Sequence, residues 1–552
     1  MIYTPTVAGV RAGGAAEEPT LASEAAVVSK GPGPKGPPED LTGRERMARN
    51  VLFSWGGYLL IAVTGFILPR QMDRHVGQTA LGVWDLGWSL VSYFGLAQLG
   101  VGSSVNRYIA KARAAGDLAA LRTAASSVVG LNLVAAVVVL ALTGAAVWAL
   151  PILFGERLGP DLGTARTVMA LLGASLAVQV AFDASTGIIT GCHRWDLHNV
   201  INAVFHVATV AVMVAVLWAG GGLEGVAAAN LAGVTATELA RLWAAYRVCP
   251  GLRIGWKYAD ARQARRMLAF GVKSSITGVS RLLLFQTNSV IVASHLGPAM
   301  LALYARPMAL MKVVETFANK FAFVLSPTAS SLQASGRADE LKELVLTSTR
   351  LGTALVAPIV LALAILGDPI LRLWMGARYE QGGVLALLVA GMFLPVAQRT
   401  VATILIGLNR HGPLALANLV AALCGVGLSV LNVTVLGWGL GGAALAIALP
   451  MTLGTGVFIP IYACSRLEIP LPEYFRRTFA GPLACVLPCA AWLALSRFLF
   501  GDEPLLAVGV GLLGGGLALV PPYWRYVAPR QAKDMAARLG RAALGPLARP
   551  GV

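Results

Sequence analysis

Charge is what this sequence has least of. Asp, Glu, Lys and Arg make up 13% of its 552 residues, where ordinary globular chains are about a quarter charged. That shortage excludes an ordinary water-soluble domain and matches the 56% hydrophobic content. Other absences narrow the class. No Walker A sequence is present, so ATP is not the direct driver of any activity. The links on the side poor in Lys and Arg are short, with scattered Asp and Glu and no metal-ligand cluster, which argues against a membrane glycosyltransferase or polymerase. The six cysteines (Cys192, Cys249, Cys424, Cys464, Cys485, Cys489) have no metal-ligand spacing, and neither zinc nor disulfides are expected. No apolar h-region precedes Arg44. Residues 1–43, rich in Gly, Pro and Ala, read as a disordered cytoplasmic tail rather than a signal peptide.

What is present is apolar length. Fourteen runs lie near 48–70, 79–102, 123–150, 164–190, 197–219, 222–246, 268–293, 299–326, 345–366, 382–407, 413–435, 440–464, 478–499 and 504–522. Runs of this length without strand-like alternation are transmembrane helices, because a helix satisfies its own backbone in lipid. The net charge of +17 does not point to nucleic acid. Lys and Arg fall mostly in alternate links: the N-terminal tail, Asn106–Arg122, Arg247–Arg266, Arg337–Arg350, Arg466–Arg477 and the C-terminal tail. The positive-inside rule then places both termini in the cytoplasm, with Arg70, Arg74, Arg372 and Arg378 as exceptions on the outer side. The end of the chain, 523–552, reads equally as an interfacial basic helix or a solvated tail.

The chain repeats itself. Val76–Leu81 with Trp84 matches Leu296–Leu301 with Tyr304, and the same offset of 220 carries Gly116 onto Gly336. Gly191-x-x-Arg194 matches Gly407-x-x-Arg410 at offset 216, and Gly222-Leu223-x-Gly225-x-Ala227 matches Gly439-Leu440-x-Gly442-x-Ala444 at offset 217. The expected architecture is an all-α polytopic membrane protein of about fourteen transmembrane helices. Residues 44–246 and 268–465 form two six-helix halves, related by a pseudo-two-fold along the membrane normal and joined by a basic linker at 247–267. Two extra helices occupy 466–522. Transporters of this build hold substrate between halves near the midplane and rock to alternate access.

The segment Met47–Arg122 resembles bacterial polysaccharide or oligosaccharide flippases, the Wzx-like branch of the MATE-like (MOP) superfamily. The residues that carry the resemblance are Leu68-Pro69-Arg70, Leu81-Gly82-x-Trp84-x-Leu86, Gly100, Gly102, Arg107-Tyr108 and Ala115-Gly116-Asp117-Leu118. The two glycine motifs above fit the same pattern, so the likeness covers roughly 47–465. It implies a non-enzymatic flippase in the bacterial inner membrane. The cargo it implies is an undecaprenyl-pyrophosphate-linked oligosaccharide, moved for cell-surface polysaccharide biosynthesis. Candidate partners are membrane lipids and the glycan polymerase and glycosyltransferases of the same pathway. The lipid II flippase, a relative with fourteen helices, uses its last two as a groove for a lipid tail. This chain has two such helices but not that flippase's signature near the first two.

Charged residues inside apolar runs are the site candidates, since each cation in hydrocarbon costs about 2.5–3.5 kcal/mol on insertion scales. Lys273 and Arg281, on a stripe with Thr277 and Asn288, occupy the seventh run. Arg306, Lys312 and Lys320, with Glu315 as the single acid, occupy the eighth, where Tyr304, Met308, Lys312, Glu315 and Asn319 make a second stripe. Pro307 is expected to bend or loosen that helix. Five cations against one acid suit an anionic cargo, and Arg offers pyrophosphate planar bidentate donors. A MATE-type multidrug or cation antiporter, the nearest alternative, would favour acidic lining. Lys273 and Lys320 read equally as snorkelling residues, and Lys312 with Glu315 as a neutralising pair. Asp183 and Arg399 occupy equivalent repeat positions at offset 216. They read either as a state-dependent latch, with Asp183 as a site for a coupling proton or sodium ion, or as structural bridges within each half. Asp85 reads as a coupling-ion site or as an acid satisfied by an arginine. Glu224 and Glu238 with Arg241 read as structural, and His206 as a lone polar residue between helices. No cofactor is expected beyond a coupling ion.

Overall fold

The computed structural model describes residues 44–98, 101–323 and 325–527, with side chains left undescribed at 44–55, 58–59, 101–104 and 269–277. The chain divides into Met1–Ala48 and Arg49–Val552. Everything below concerns the second unit. Both expected tails, and the basic C-terminal segment beyond 527, lie outside the described residues, as does the side chain of Lys273.

Among the described residues every predicted run is helical and no strand occurs. The first half comprises α1 (Arg44–Phe94), α2 (Val101–Ala114), α3 (Leu118–Leu158), α4 (Leu162–Gly191), α5 (Trp195–Trp218) and α6 (Gly222–Val248). The second comprises α7 (Ala261–Leu296), α8 (Pro298–Phe323), α9 (Leu325–Ala334), α10 (Ala338–Ile365), α11 (Gly367–Met375), α12 (Gly382–Ala397), α13 (Arg399–Gly407), α14 (Gly412–Ser429), α15 (Gly439–Met451) and α16 (Ile459–Leu467). Then follow α17 (Leu471–Phe475), α18 (Gly481–Phe500) and α19 (Pro504–Pro522). The protein is thus a multi-pass helical membrane protein.

Eight described segments are long and apolar enough to cross a membrane, one of them, Leu118–Gly191, taking in two predicted runs. The helices over 48–102, 222–246 and 268–326 are not among them. They are the ones that carry Asp85, Glu238, Arg241, Arg281, Arg306, Lys312 and Glu315. Polar content here marks helices that face one another and the interior rather than lipid.

The duplication is written into the backbone. Fourteen described residues have positive φ, and they fall into seven pairs. Gly77 pairs with Gly297 and Gly116 with Gly336 at offset 220. His193 pairs with Asn409 at offset 216. Gly159 with Gly376, Gly220 with Gly437, Gly222 with Gly439 and Gly251 with Glu468 are all at offset 217. Each of these positive-φ positions in the first half therefore recurs in the second, with Asn409 in place of His193 and Glu468 in place of Gly251. Gly77 (φ 87°) turns the chain inside α1, so that one continuous segment holds both arms of the first hairpin. Its counterpart Gly297 (φ 90°) separates α7 from α8.

The Gly-x-x-Arg motif also has a packing reason. A Cβ on Gly191 would come within 3.2 Å of the Asn106 carbonyl oxygen, and one on Gly407 within 2.5 Å of the Ser326 carbonyl oxygen. Both are places where the end of a helix meets another backbone with no room for a side chain. At Pro307, α8 continues as helix, with the proline buried.

Candidate functional site

Two polar cavities occupy equivalent places in the two halves. The first, about 150 Å³, is lined by Gln179, Asn202, His206, Thr209, Asn230, Val234, Thr237, Glu238 and Arg241. The second, about 40 Å³, is lined chiefly by α7, α8 and the helices from α12 to α15. Its polar residues are Ser280, Arg281, Glu315, Gln398, Arg399, Asn418 and Thr455. Shifting by 216 carries Gln179 and Asn202 onto Pro395 and Asn418, and shifting by 217 carries Val234 and Glu238 onto Met451 and Thr455. All four images line the second cavity. The repeat has thus built the same chamber twice and furnished it differently.

In the first chamber Glu238 is 1% exposed and its Oε1 accepts from Arg241 Nη1 at 2.5 Å. Arg241 Nη2 donates to Asn202 Oδ1 at 3.0 Å, and Asn230 Nδ2 donates to Ser175 Oγ at 3.1 Å. Asp183 is an electrostatic neighbour of both Arg241 and Glu238. The chamber is lined by one acid and one arginine, with Asp183 as a second acid nearby. Glu238 Oε2 and Arg241 Nε are buried without a hydrogen-bond partner among the described residues. Glu238 and Arg241 thus form a buried structural pair, as expected, and both line a chamber together with His206.

The second chamber is basic. Arg281 forks onto Glu315, donating from Nη1 to Oε1 and from Nη2 to Oε2, the latter at 3.3 Å. Arg399 has Glu315 and Arg281 as its electrostatic neighbours. Phe285 lies between two cations, with Arg281 Cζ 5.4 Å and Lys312 Nζ 5.9 Å from its ring centre. Lys312 keeps solvent access, and its electrostatic neighbours are Arg281, Glu315, Asp85 and Arg306. The expected Lys312–Glu315 neutralisation therefore gives way to Arg281–Glu315. Lys312 and Arg399 are left as the cations without an ion-pair partner among the described residues.

Arg306 is placed differently from expectation. Rather than lining a cavity, it is 4% exposed and bridges the halves, donating from Nη2 to Asp85 Oδ2 at 2.5 Å. Its Nε and Nη1 have no partner among the described residues. Asp85 is thus an acid satisfied by an arginine. The two stripes, one with Asn288 and the other with Tyr304, also divide. Asn288 donates to the Tyr304 hydroxyl at 2.8 Å and to the Ala443 carbonyl at 2.9 Å, and accepts from Ser429 at 2.6 Å. That cluster is core, not cavity. Asp183 and Arg399 are not paired with each other; each has its charged neighbours in its own half, so no latch between them exists in this conformation.

The end away from the basic links is tied shut. Asp73 accepts from Arg378 and from the Tyr379 hydroxyl, both at 2.6 Å. Arg70 donates to the Leu373 carbonyl at 3.0 Å, Trp374 to the Phe66 carbonyl at 2.7 Å and Gln78 to the Ala299 carbonyl at 2.9 Å. Gly82 abuts Pro298 with no space for a Cβ. Arg70 and Arg378, exceptions to the charge rule, are thus closing contacts between the halves.

Residues 160–382 match the family model of polysaccharide biosynthesis proteins. No curated protein sequence matches the chain. Among solved structures, the lipid II flippase MurJ in an inward closed conformation superposes with TM-score 0.64 at 12% identity, covering 86% of this chain and 99% of that one. An inward-facing multidrug resistance MATE family transporter of the MOP superfamily gives 0.61 at 16% identity, covering 78% and 96%. A MOP superfamily transporter from Pyrococcus furiosus, described as having a binding pocket of reversed polarity that suggests a different function, gives 0.53 at 16% identity, covering 78% and 97%. The chain therefore shares the fold of these proteins, and its residues 160–382 match the family model of polysaccharide biosynthesis proteins.

Proposed function

We propose that the protein is a flippase that carries an anionic, lipid-linked oligosaccharide across the bacterial inner membrane by alternating access, with both termini cytoplasmic. The undecaprenyl-pyrophosphate carrier is the cargo whose chemistry fits best. The carrying observation is the charge contrast between two otherwise equivalent chambers. The second-half chamber has Arg281 and Arg399 against Glu315, with Lys312 as an electrostatic neighbour of Arg281 and Glu315, and favours a compact polyanion. A multidrug or cation antiporter would be expected to line that chamber with acid.

An apolar groove of about 770 Å³, lined by Leu416, Val420, Cys424, Leu449, Leu453 and Phe458 among others, lies on the opposite face of α14 and α15 from this chamber. Ala417, Ala421 and Gly454 also line the groove, and a Cβ on Gly454 would lie 3.3 Å from the Ala417 carbonyl oxygen. A prenyl chain in the groove would leave its pyrophosphate beside the arginines while the glycan crosses between the halves. The basic chamber as described holds water but no sugar. Loading therefore requires the halves to part, which is what an alternating-access cycle supplies. The first-half chamber, lined by Glu238 and His206 with Asp183 as an electrostatic neighbour, is the matching place for a coupling proton or sodium ion. The fold and family support transport without covalent chemistry.

Lys312→Gln with Arg399→Gln tests this reading. In proteoliposomes the double variant is expected to lose most flipping of a fluorescent lipid-linked oligosaccharide while remaining folded and inserted. Undiminished flipping by the double variant would remove the basic chamber from the mechanism. Robust organic-cation exchange by the wild type would favour the antiporter instead.

A further inference from the structure

A third polar cavity lies far from both chambers, where the second half hands over to the last two helices. It measures about 280 Å³ and is lined by Glu343, Leu346, Thr347, Arg350, Arg476, Arg477 and Gly481. Three arginines meet there. Arg477 is already committed, donating to both oxygens of Glu343 at 3.0 and 2.8 Å and to Glu473 at 3.3 Å. Thr347 adds its hydroxyl to Glu343 at 2.9 Å. The other two arginines are not so satisfied. Arg350 donates one nitrogen to the Tyr526 carbonyl, but its Nε is buried with no partner among the described residues. Arg476 is exposed and forms no ion pair among the described residues. Gly481, whose missing Cβ would lie 4.0 Å from Arg350 Nη2, leaves the floor beside that guanidinium open.

The backbone around the cavity is unusual as well. Both segments that frame it, Arg476–Ala480 and Tyr523–Val527, are π-helical turns, a conformation that re-aims side chains and is frequent at functional sites. The surroundings set its depth in the membrane. Trp524 and Tyr526 on the second of these segments, and Phe475 directly before the first, are exposed aromatics, the pattern of a chain at the headgroup level. The cavity also sits at the basic end of α10, on the Lys/Arg-rich side.

We propose that this cavity binds the phosphodiester headgroup of an anionic phospholipid, with Arg350 and Arg476 as its ligands. Basic pockets between transmembrane helices on the positively charged side suit such headgroups. Arg supplies planar donors to phosphate oxygens, and the aromatic rim lets the acyl chains stay in the bilayer. The bound lipid would join α10, α17 and the end of α19, holding the last two helices against the second half. The site is independent of the transported cargo and of the flippase reading.

The test uses the full-length protein, delipidated in a neutral detergent. Binding of phosphatidylglycerol and cardiolipin is measured by native mass spectrometry and by the shift in melting temperature, with phosphatidylcholine and inorganic phosphate as comparison arms. The wild type is expected to retain and be stabilised by the anionic lipids and not by phosphatidylcholine. Arg476→Gln and Arg350→Gln should each weaken anionic-lipid binding about fivefold, and Arg476→Lys should keep most of it. Arg476 has no partner to lose, so its Gln variant should melt like the wild type in the absence of lipid. Equal binding of phosphatidylglycerol by wild type and Arg476→Gln would overturn the assignment. So would inorganic phosphate displacing the lipid at equal concentration, which would make the site one for free phosphate.

Discussion

The ion pair between Asp85 and Arg306 should govern how firmly the end away from the basic links stays closed. Its members come from opposite halves, with side chains 18% and 5% exposed, so water screens the pair little. Arg306 is only partly satisfied, with two of its nitrogens lacking partners among the described residues. The intact pair therefore contributes little net stability compared with a well-packed apolar replacement, but removing one member strands a charge. Breaking a buried pair this way costs roughly 3–5 kcal/mol. Lys312, an electrostatic neighbour of Asp85, compensates part of the loss in Arg306→Met and puts the cost near the lower bound.

About 3 kcal/mol applied to the closed state changes its population ratio by about 150-fold. Asp73 with Arg378 and Tyr379 still ties the same end, so the readout is a shift in that ratio rather than complete opening. Spin labels at His75 and Ala377, both exposed and on opposite halves, report the opening by pulsed electron resonance. The wild type should give one short distance. Arg306→Met should add a long one, and Asp85→Leu with Arg306→Met should return towards the short one. If the single variant keeps the wild-type distance distribution, or the double opens as far as the single, the pair does not hold the end shut.

Two further outcomes follow from the duplicated scaffold. Gly407→Ala should destabilise more than Gly191→Ala, because its new Cβ would approach a carbonyl oxygen at 2.5 Å rather than 3.2 Å. The costs expected for overpacking are about 1–3 kcal/mol, read as loss of melting temperature in detergent. In the first chamber, Glu238→Gln should uncouple rather than unfold. Transport driven by a proton or sodium gradient should fall to the gradient-free rate while substrate binding stays near wild type, and a variant that keeps its gradient response would remove Glu238 from coupling.

Much of the fold was readable because lipid imposes it. A helix is the cheap way to cross hydrocarbon, so apolar length alone located the helical runs. The glycine motifs located the repeat, since turns that need left-handed residues leave few choices. The site was read less well, and the misreadings share one cause. Whether a cation is free depends on partners distant in sequence. Glu315 turns to Arg281 on another helix, not to Lys312 on its own. Arg306 finds Asp85 in the other half. Periodicity gives the face of a helix but not what faces it. The first chamber was missed because Glu238 and Arg241 are near a helix end in sequence, where charge is ordinary. One signal was available: at offset 216 Asn202 falls on Asn418, and both line their chambers.

The paired left-handed residues have a consequence for how such a protein diverges. With positive-φ residues recurring at matching turns of both copies, the two halves keep their helices in register. Their charge differs at matching positions instead: Thr455 stands where Glu238 does in the other half, and Arg399 where Asp183 does. Glu468 marks the tolerance of this arrangement: it takes a left-handed conformation that its counterpart Gly251 adopts freely, and its carboxylate lies 3.7 Å from Lys342. Two copies of one scaffold have thereby come to carry different charge at matching positions, by substitution rather than by a new fold.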